Sequence, residues 1–261
     1  MKAYQLGFIG CGNMGGAMMA GALRSGWANA ENMVVHTHTK KTSEQLHEKF
    51  EVATAESNAR VAEQSQVVVL AVKPAVYEDV LREIAPVLTD EIVISLAPNY
   101  SLSDLRKACA GKDVRLVRAM PNTPAKVGEG MTGLCFSENT DDEEKKLIMA
   151  LFAGFGRAAI VREDVMGAVT AVSGSSPAYV YMMIEAMAEG AVKQGIPAKD
   201  AYVFAAQAVY GAAKMVLETN EHPAVLRDAV CSAGGTTIKA VAVLESRGFK
   251  GTVIDAMDAC K

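Results

Sequence analysis

Three glycines, Gly10, Gly12 and Gly15, stand in the spacing G-x-G-x-x-G within "GFIGCGNMGGA". They follow a short apolar run, "YQLGFIG" (4–10), and open a segment rich in small residues (13–26). A strand, a glycine turn and a helix in that order give the spacing its meaning. Gly10 permits the tight turn, Gly12 lets the backbone approach a pyrophosphate, and Gly15 lets helix and strand pack closely. The amides from Cys11 through Asn13 to Met14 then face the phosphates at the positive end of the helix. Cys11 reads as a small residue supplying an amide and not as a redox centre.

Four further stretches carry polar groups to places where a ligand would lie. "VVHTHTKKT" (34–42) ends a strand and has no acid before Glu44. An NAD site usually places Asp or Glu there for the ribose 2′-hydroxyl. Thr37, His38, Thr39, Lys40 and Lys41 instead offer hydroxyls and positive charge, which suit a 2′-phosphate. NADPH is therefore the expected cofactor and NADH the less favoured one; a solvated basic loop is the alternative. "AVKP" (71–74) ends the most apolar strand, at the edge where doubly wound sheets bind ligands. Lys73 reads as closing over the cofactor with its neighbouring backbone, not as a catalytic base. "MPNTP" (120–124) lies on the same edge and offers Asn122 as an amide to orient substrate or nicotinamide. "CSAGGTTIKA" (231–240) breaks a helical region with Gly234 and Gly235. Thr236 or Thr237 begins a helix there, whose free amides suit an anion. The stretch from 232 to 237 holds no acid or base, which fits recognition of a carboxylate better than general-base chemistry; a plain helix–helix turn is the alternative.

These stretches need elements to hold them. Strands are expected at 4–10, 32–38, 65–74, 91–97 and 114–121, with helices at 13–26, 41–50, 76–88 and 101–110. Ser101 or Ser103 is a candidate cap for the last of these. Alternating strands and helices imply an α/β domain built on a parallel, doubly wound sheet. From 164 onward the pattern is helical only: 164–173, 176–194, 198–219, 223–231, 236–247 and about 251–260. "SGSSPAY" (173–179) reads as a joint between two helices, with Ser176 as cap and Pro177 at the first helical position. The chain thus divides into a dinucleotide-binding domain over 1–162 and an all-α domain over 163–261. The helix at 176–194 is apolar on most sides, and a unit of about 100 residues has little core in which to hide it. The helical half is therefore expected to pack against a second copy of itself.

Composition narrows the class. Of 261 residues, half are hydrophobic and 21% are charged, so a substantial core is available and disorder is not expected. The net charge is −4, and no basic block exceeds "HTHTKK" (36–41), which argues against nucleic acid or an anionic membrane as partner. The five cysteines (11, 109, 135, 231 and 260) are odd in number and scattered, which argues against a disulfide framework or a zinc site. His36, His38, His47 and His222 lack ligand spacing, so no metal is expected. The N-terminal run is short and broken by glycines, unlike a signal peptide. The most apolar stretch, 178–192, carries Glu185 and Glu189, so no membrane span is expected. A soluble, cytoplasmic protein is the expectation.

Taken together, "GFIGCGNMGGAM", "VVVLAVKP", "VRAMPNTPAKVGEG", "AVTAVSGSSPAYVYMMIEAMAEGAVKQGIP", "EHPAVLRDAV" and "GGTTIKAVAVLE" resemble the pyrroline-5-carboxylate reductase family over nearly the whole chain. The resemblance implies an NADPH-binding Rossmann domain, a helical domain that interlocks with a partner's, and reduction of L-1-pyrroline-5-carboxylate to L-proline. It implies cofactor contacts from Gly10, Cys11, Gly12, Asn13, Met14 and Gly15. It adds His38, Thr39, Lys40 and Asn58, and then Ala71, Val72, Lys73 and Pro74. It implies that Gly234, Gly235, Thr236 and Thr237 hold the substrate carboxylate and ring, with Thr237 near the ring nitrogen as the catalytic candidate. Three positions depart from the family pattern: Pro98-Asn99 where Ala-Gly is common, Ala233 where proline is usual, and Ser176 where glycine is frequent. Two other readings stay open. A dehydrogenase of β-hydroxyacid type would need a catalytic lysine early in the helical half, where 164–178 has none. A nucleotide sensor would bind NADPH without turnover.

Overall fold

The protein is described here by a computed structural model covering residues 2–260. Its first part alternates strand and helix: β1 (Tyr4–Ile9), α1 (Asn13–Ser25), β2 (Met33–His36), α2 (Lys40–Phe50), β3 (Ala53–Thr54), α3 (Asn58–Gln64), β4 (Ser65–Leu70), α4 (Tyr77–Ile84), β5 (Ile92–Ser95), α5 (Leu102–Ala108) and β6 (Arg115–Met120). Then follow β7 (Gly130–Phe136), α6 (Asp142–Ala153) and β8 (Gly156–Ile160). All eight strands form one sheet in the order β3-β2-β1-β4-β5-β6-β7-β8. The chain starts in the middle with β1, builds outward to β3, then crosses back to β4 on the other side. This is the doubly wound Rossmann order, and its reversal lies between β1 and β4.

Alternation of side chains explains why the central strands are apolar throughout. In β4, Val67 and Val69 enter one core with Leu6, Phe8, Met18 and Phe152. Val68 and Leu70 enter the other with Ile9, Tyr77, Leu81 and Ile84. Both faces are covered by helices, so neither alternate position can be polar.

β3, β7 and β8 are strands beyond the five expected. β7 runs antiparallel to β6. Only a short turn at Thr123–Val127 joins them, and a parallel return needs a crossover of about a dozen residues or more. β8 then pairs parallel to β7, with α6 as the crossover. α3 and α6 are helices that the expected elements did not include. α6 carries a reciprocal cap: Asp141 accepts from the backbone of Glu144, whose side chain reaches back to the backbone of Asp141. Ser101 caps α5 in the same way through Asp104.

Compact units divide after Gly174. Around that point, α7 (Met166–Val169) passes into a single wide π-helical turn at Thr170–Ser175, followed by α8 (Ser176–Lys193). The joint read into "SGSSPAY" is therefore helical backbone throughout. Ser175, not Ser176, occupies the position before α8, and it makes no side-chain cap bond. Pro177 does fall in the first turn, where its missing N–H costs nothing.

The second unit contains α8, α9 (Ala198–Thr219), α10 (Pro223–Ala229), α11 (Thr236–Ser246) and α12 (Phe249–Asp258). Its own buried cluster is small, formed by Ala188, Ala201 and Ala205 with Ile184, Ala191 and Ile196 packed against them. Met182, Val203 and Phe204 are 69%, 68% and 65% exposed. No helix among the described residues is long and apolar enough to cross a membrane.

Candidate active site

The glycine turn sits where the strand order reverses. The amide of Gly10 donates to the carbonyl of His36 at 2.8 Å, and the amide of Ala71 donates to the carbonyl of Ile9 at 2.8 Å. The C-terminal ends of β2, β1 and β4 are thus stitched side by side. Gly10 has φ +72°, and a Cβ there would meet the Ala71 carbonyl oxygen at 2.8 Å, so glycine is required twice over. A Cβ on Gly15 would meet that of Ala71 at 3.1 Å, which fixes how closely α1 approaches β4.

Gly12 is different. A Cβ there would meet no protein atom within 4 Å. The space in front of it belongs to a cleft of about 270 Å³ lined by Gly12 to Gly15, Ala71 to Lys73, Leu96, Met120 and Pro121. Gly12 is the residue before α1, has no side chain to cap it, and the first turn of α1 carries no acid. The first amides of a helix have no partner inside it, so Gly12, Asn13, Met14 and Gly15 present N–H groups and a positive dipole end to the cleft. These features fit a dinucleotide pyrophosphate. Cys11 lies buried beneath the turn, and burial pushes its thiol up to about 12, which removes it from thiolate chemistry.

At the end of β2, Thr37 is buried and donates its hydroxyl to the Thr39 carbonyl at 3.0 Å. His38, Thr39 and Lys40 are exposed. Thr39 caps α2 by accepting from the amide of Thr42. Lys40 lies 3.6 Å from Glu44 with its side chain 91% exposed, so its charge is available. Asn58 and Pro74 are not among the residues that line the cleft. Asn58 donates to Glu83 on α4 at 2.7 Å, an interaction that closes the base of α3.

Asn122 is buried, and both ends of its amide are engaged. Its Nδ2 donates to the carbonyl of Ser173 at 3.0 Å, and its Oδ1 accepts from the amide of Met131 at 2.8 Å. The side chain thus clasps the π turn and the start of β7 behind Met120 and Pro121. Leu96 is the cleft residue that motif spacing did not pick out. Its position as the first residue beyond β5 is the signal that marks it.

In the second unit, Gly234 has φ +70°, and the amide of Gly235 donates to the carbonyl of Ser232 at 3.0 Å. A Cβ on Gly235 would lie 2.4 Å from the Ser232 hydroxyl, which would have to turn away, while Gly234 holds the positive φ that favours glycine in this turn. Gly235 precedes α11 without a side-chain cap, and the first turn of α11 carries no acid. Thr236 and Thr237 are exposed on that turn. The loop therefore presents open amides and two hydroxyls, which together suit a carboxylate. No group of three or more potential metal ligands occurs among the described residues.

A Rossmann sheet with an uncapped, acid-free helix start opening on a cleft at the strand reversal defines a dinucleotide-binding protein. Residues 5–99 match the family described as NADP oxidoreductase, coenzyme F420-dependent, and residues 163–261 match the family described as pyrroline-5-carboxylate reductase dimerisation. Pyrroline-5-carboxylate reductase of Escherichia coli (strain K12) is 47% identical over 98% of this chain and 95% of its own. The solved reductase of Coxiella burnetii superposes with a TM-score of 0.92 at 36% identity, covering 99% of this chain and 96% of that one. That of Plasmodium falciparum, solved with NADP bound, gives 0.87 at 31% identity over 100% and 96%. The chain belongs to the pyrroline-5-carboxylate reductase family.

Proposed function

We infer that this chain reduces L-1-pyrroline-5-carboxylate to L-proline with NADPH, the final step of proline biosynthesis. The observation that carries the reading is the open cleft in front of Gly12, in a chain whose whole length aligns with reductases of that name. Bound NADPH supplies the hydride that reduces the C=N bond. The amides of Gly12 to Gly15 and the dipole of α1 hold its pyrophosphate. Gly10 and Cys11 shape the turn below. His38, Thr39 and Lys40 receive the 2′-phosphate, with Asn58 on the same flank. Ala71, Val72, Lys73 and Pro74 close the β4 side.

Gly234, Gly235, Thr236 and Thr237 grip the substrate carboxylate and ring. The Thr237 hydroxyl holds the ring nitrogen or passes it a proton through water; an imine protonated from solvent needs no stronger acid. Asn122 serves through its neighbours, because its own amide is already engaged. Apolar faces left open on α8 and α9 support a homodimer formed through the helical half, with higher assemblies built from it. Five unpaired cysteines suit a reducing compartment, so the cytoplasm is the proposed location. Nicotinamide absorbance after mixing with L-1-pyrroline-5-carboxylate, NADPH and NADH in parallel, tests the reading: faster loss of NADPH supports it, and no oxidation of either cofactor opposes it.

A further inference from the structure

The loop after β5 carries Leu96 to the wall of the cleft, and it is pinned at both ends. Near its start, Ser95 Oγ accepts from the amide of Ala97 at 3.3 Å and from the Tyr77 hydroxyl at 2.7 Å. Arg118 stands beside Ser95 in the register of β5 and β6. Its Nη2 donates to the Pro98 carbonyl at 3.0 Å and its Nη1 to Glu163 Oε1 at 2.8 Å. The same Oε1 accepts from the amide of Leu102 at 2.7 Å, the first residue of α5. One guanidinium–carboxylate pair therefore holds the front of the loop through Pro98 and its end through Leu102. The Arg118 side chain is only 11% exposed, whereas Glu163 is 35% exposed, so the pair is partly screened by solvent.

Neither Arg118 nor Glu163 lines the cleft. Leu96 follows the end of β5, and Met120 and Pro121 lie at and just past the end of β6, across the strand reversal from β2. A dinucleotide whose 2′-phosphate end rests on β2 spans the crevice to that far side, so its nicotinamide end meets this wall. We propose that Arg118 and Glu163 are positioning residues: they touch no ligand and fix the Leu96 loop against which the nicotinamide half of the cofactor rests. The inference rests on the dinucleotide reading above.

The test is calorimetric titration of the wild type, Arg118→Met, Arg118→Lys and Glu163→Gln with NADPH and with adenosine 2′,5′-bisphosphate, which lacks the nicotinamide half. All four proteins should bind the bisphosphate within about twofold of one another. The advantage of NADPH over the bisphosphate should fall about tenfold in Arg118→Met and be partly restored in Arg118→Lys. Glu163→Gln keeps an acceptor for both donors and should show a smaller loss in the same direction, which serves if Arg118→Met fails to fold. Equal weakening of both ligands, or none of either, would overturn the proposal. Failure of the substrate reading shows separately, as a wild type that binds NADPH but does not oxidise it with L-1-pyrroline-5-carboxylate.

Discussion

The side-chain amide of Asn122 donates to the carbonyl of Ser173 at 3.0 Å and ties the β6–β7 connection to the π turn that precedes α8. Wide turns of this kind free a carbonyl from the regular helical ladder, and they recur at functional sites. Here the carbonyl of Ser173 within the turn accepts from the strand edge that also carries Met120 and Pro121 to the cleft.

Asn122→Ala removes the acceptor of the part-buried Met131 amide and a donor to the carbonyl of buried Ser173. A buried polar group left without a partner costs about 1–3 kcal/mol, so the melting temperature should drop. Asn122→Asp keeps the acceptor for Met131 but sets a carboxylate oxygen against the Ser173 carbonyl in a buried site, so at neutral pH it should destabilise at least as much as Asn122→Ala, less so in acid where the carboxyl is protonated. A wild-type melting temperature for Asn122→Ala, with a raised KM for substrate, would return Asn122 to direct substrate contact.

Gly10 and Gly12 separate folding from binding. Gly10→Ala forces a side chain into positive φ and against the Ala71 carbonyl, and should lower stability with or without ligand. Gly12→Ala meets no protein atom. It should leave the melting temperature of the free protein unchanged and weaken NADPH binding at least tenfold, because the new methyl occupies the space that the pyrophosphate needs. Melting curves with and without NADPH read both effects.

Cys11 should be chemically silent. With its thiol pushed up to about 12 by burial, it carries almost no thiolate at pH 8. Iodoacetamide should leave it unlabelled in the native protein, as peptide mass mapping would show, and Cys11→Ala should keep turnover within a few-fold. Rapid native labelling of Cys11 would contradict the burial assigned to it.

Much of this site was legible from residue order alone. Gly10, Gly12 and Gly15 announce a turn whose chemistry depends on backbone, and the missing acid after β2 is visible as a composition. The hydrogen bonds of Asn122 to Met131 and Ser173 could not be read from the sequence, because those partners lie 9 and 51 residues away. β7 escaped notice for a physical reason. Its sequence "GMTGLCF" has two glycines and little alternation. Gly130 and Gly133 are there because a Cβ would strike Ala125 at 2.9 Å and Val169 at 2.7 Å, a close approach that local propensity cannot reveal. α6, in contrast, had a readable signal in Asp141 and Glu144 ahead of an apolar run.

The Ser101–Asp104 cap gives a pH dependence with a definite sign. Asp104 accepts from the Ser101 hydroxyl at 2.5 Å and from its backbone amide at 3.1 Å, and the hydroxyl bond is the main reason its carboxyl lies below the usual value. The folded pKa is below the unfolded one, so this contribution to stability is present above the unfolded value and fades as pH falls through the folded one. Ser101→Ala should raise the Asp104 pKa, as read by carboxyl NMR, and should destabilise the protein at neutral pH. The gap to wild type should narrow in acid.

Thr237 carries the proposed chemistry of the substrate loop. Thr237→Ala removes one exposed hydroxyl from the first turn of α11 and leaves the cleft of the first unit untouched. Turnover should fall about 10²-fold, the low end for loss of a positioned proton-transfer group, with NADPH affinity changed less than twofold. An equal fall in both would mark the loop as structural.

The most direct measurement is the loss of reduced-nicotinamide absorbance when purified protein meets L-1-pyrroline-5-carboxylate, with wild type and Thr237→Ala run side by side and NADPH and NADH compared. Rapid oxidation by wild type is expected, faster with NADPH, with near-silence from the variant and proline as the product. A folded wild type that binds NADPH in the cleft at Gly12 yet oxidises neither cofactor would contradict the proposed reduction.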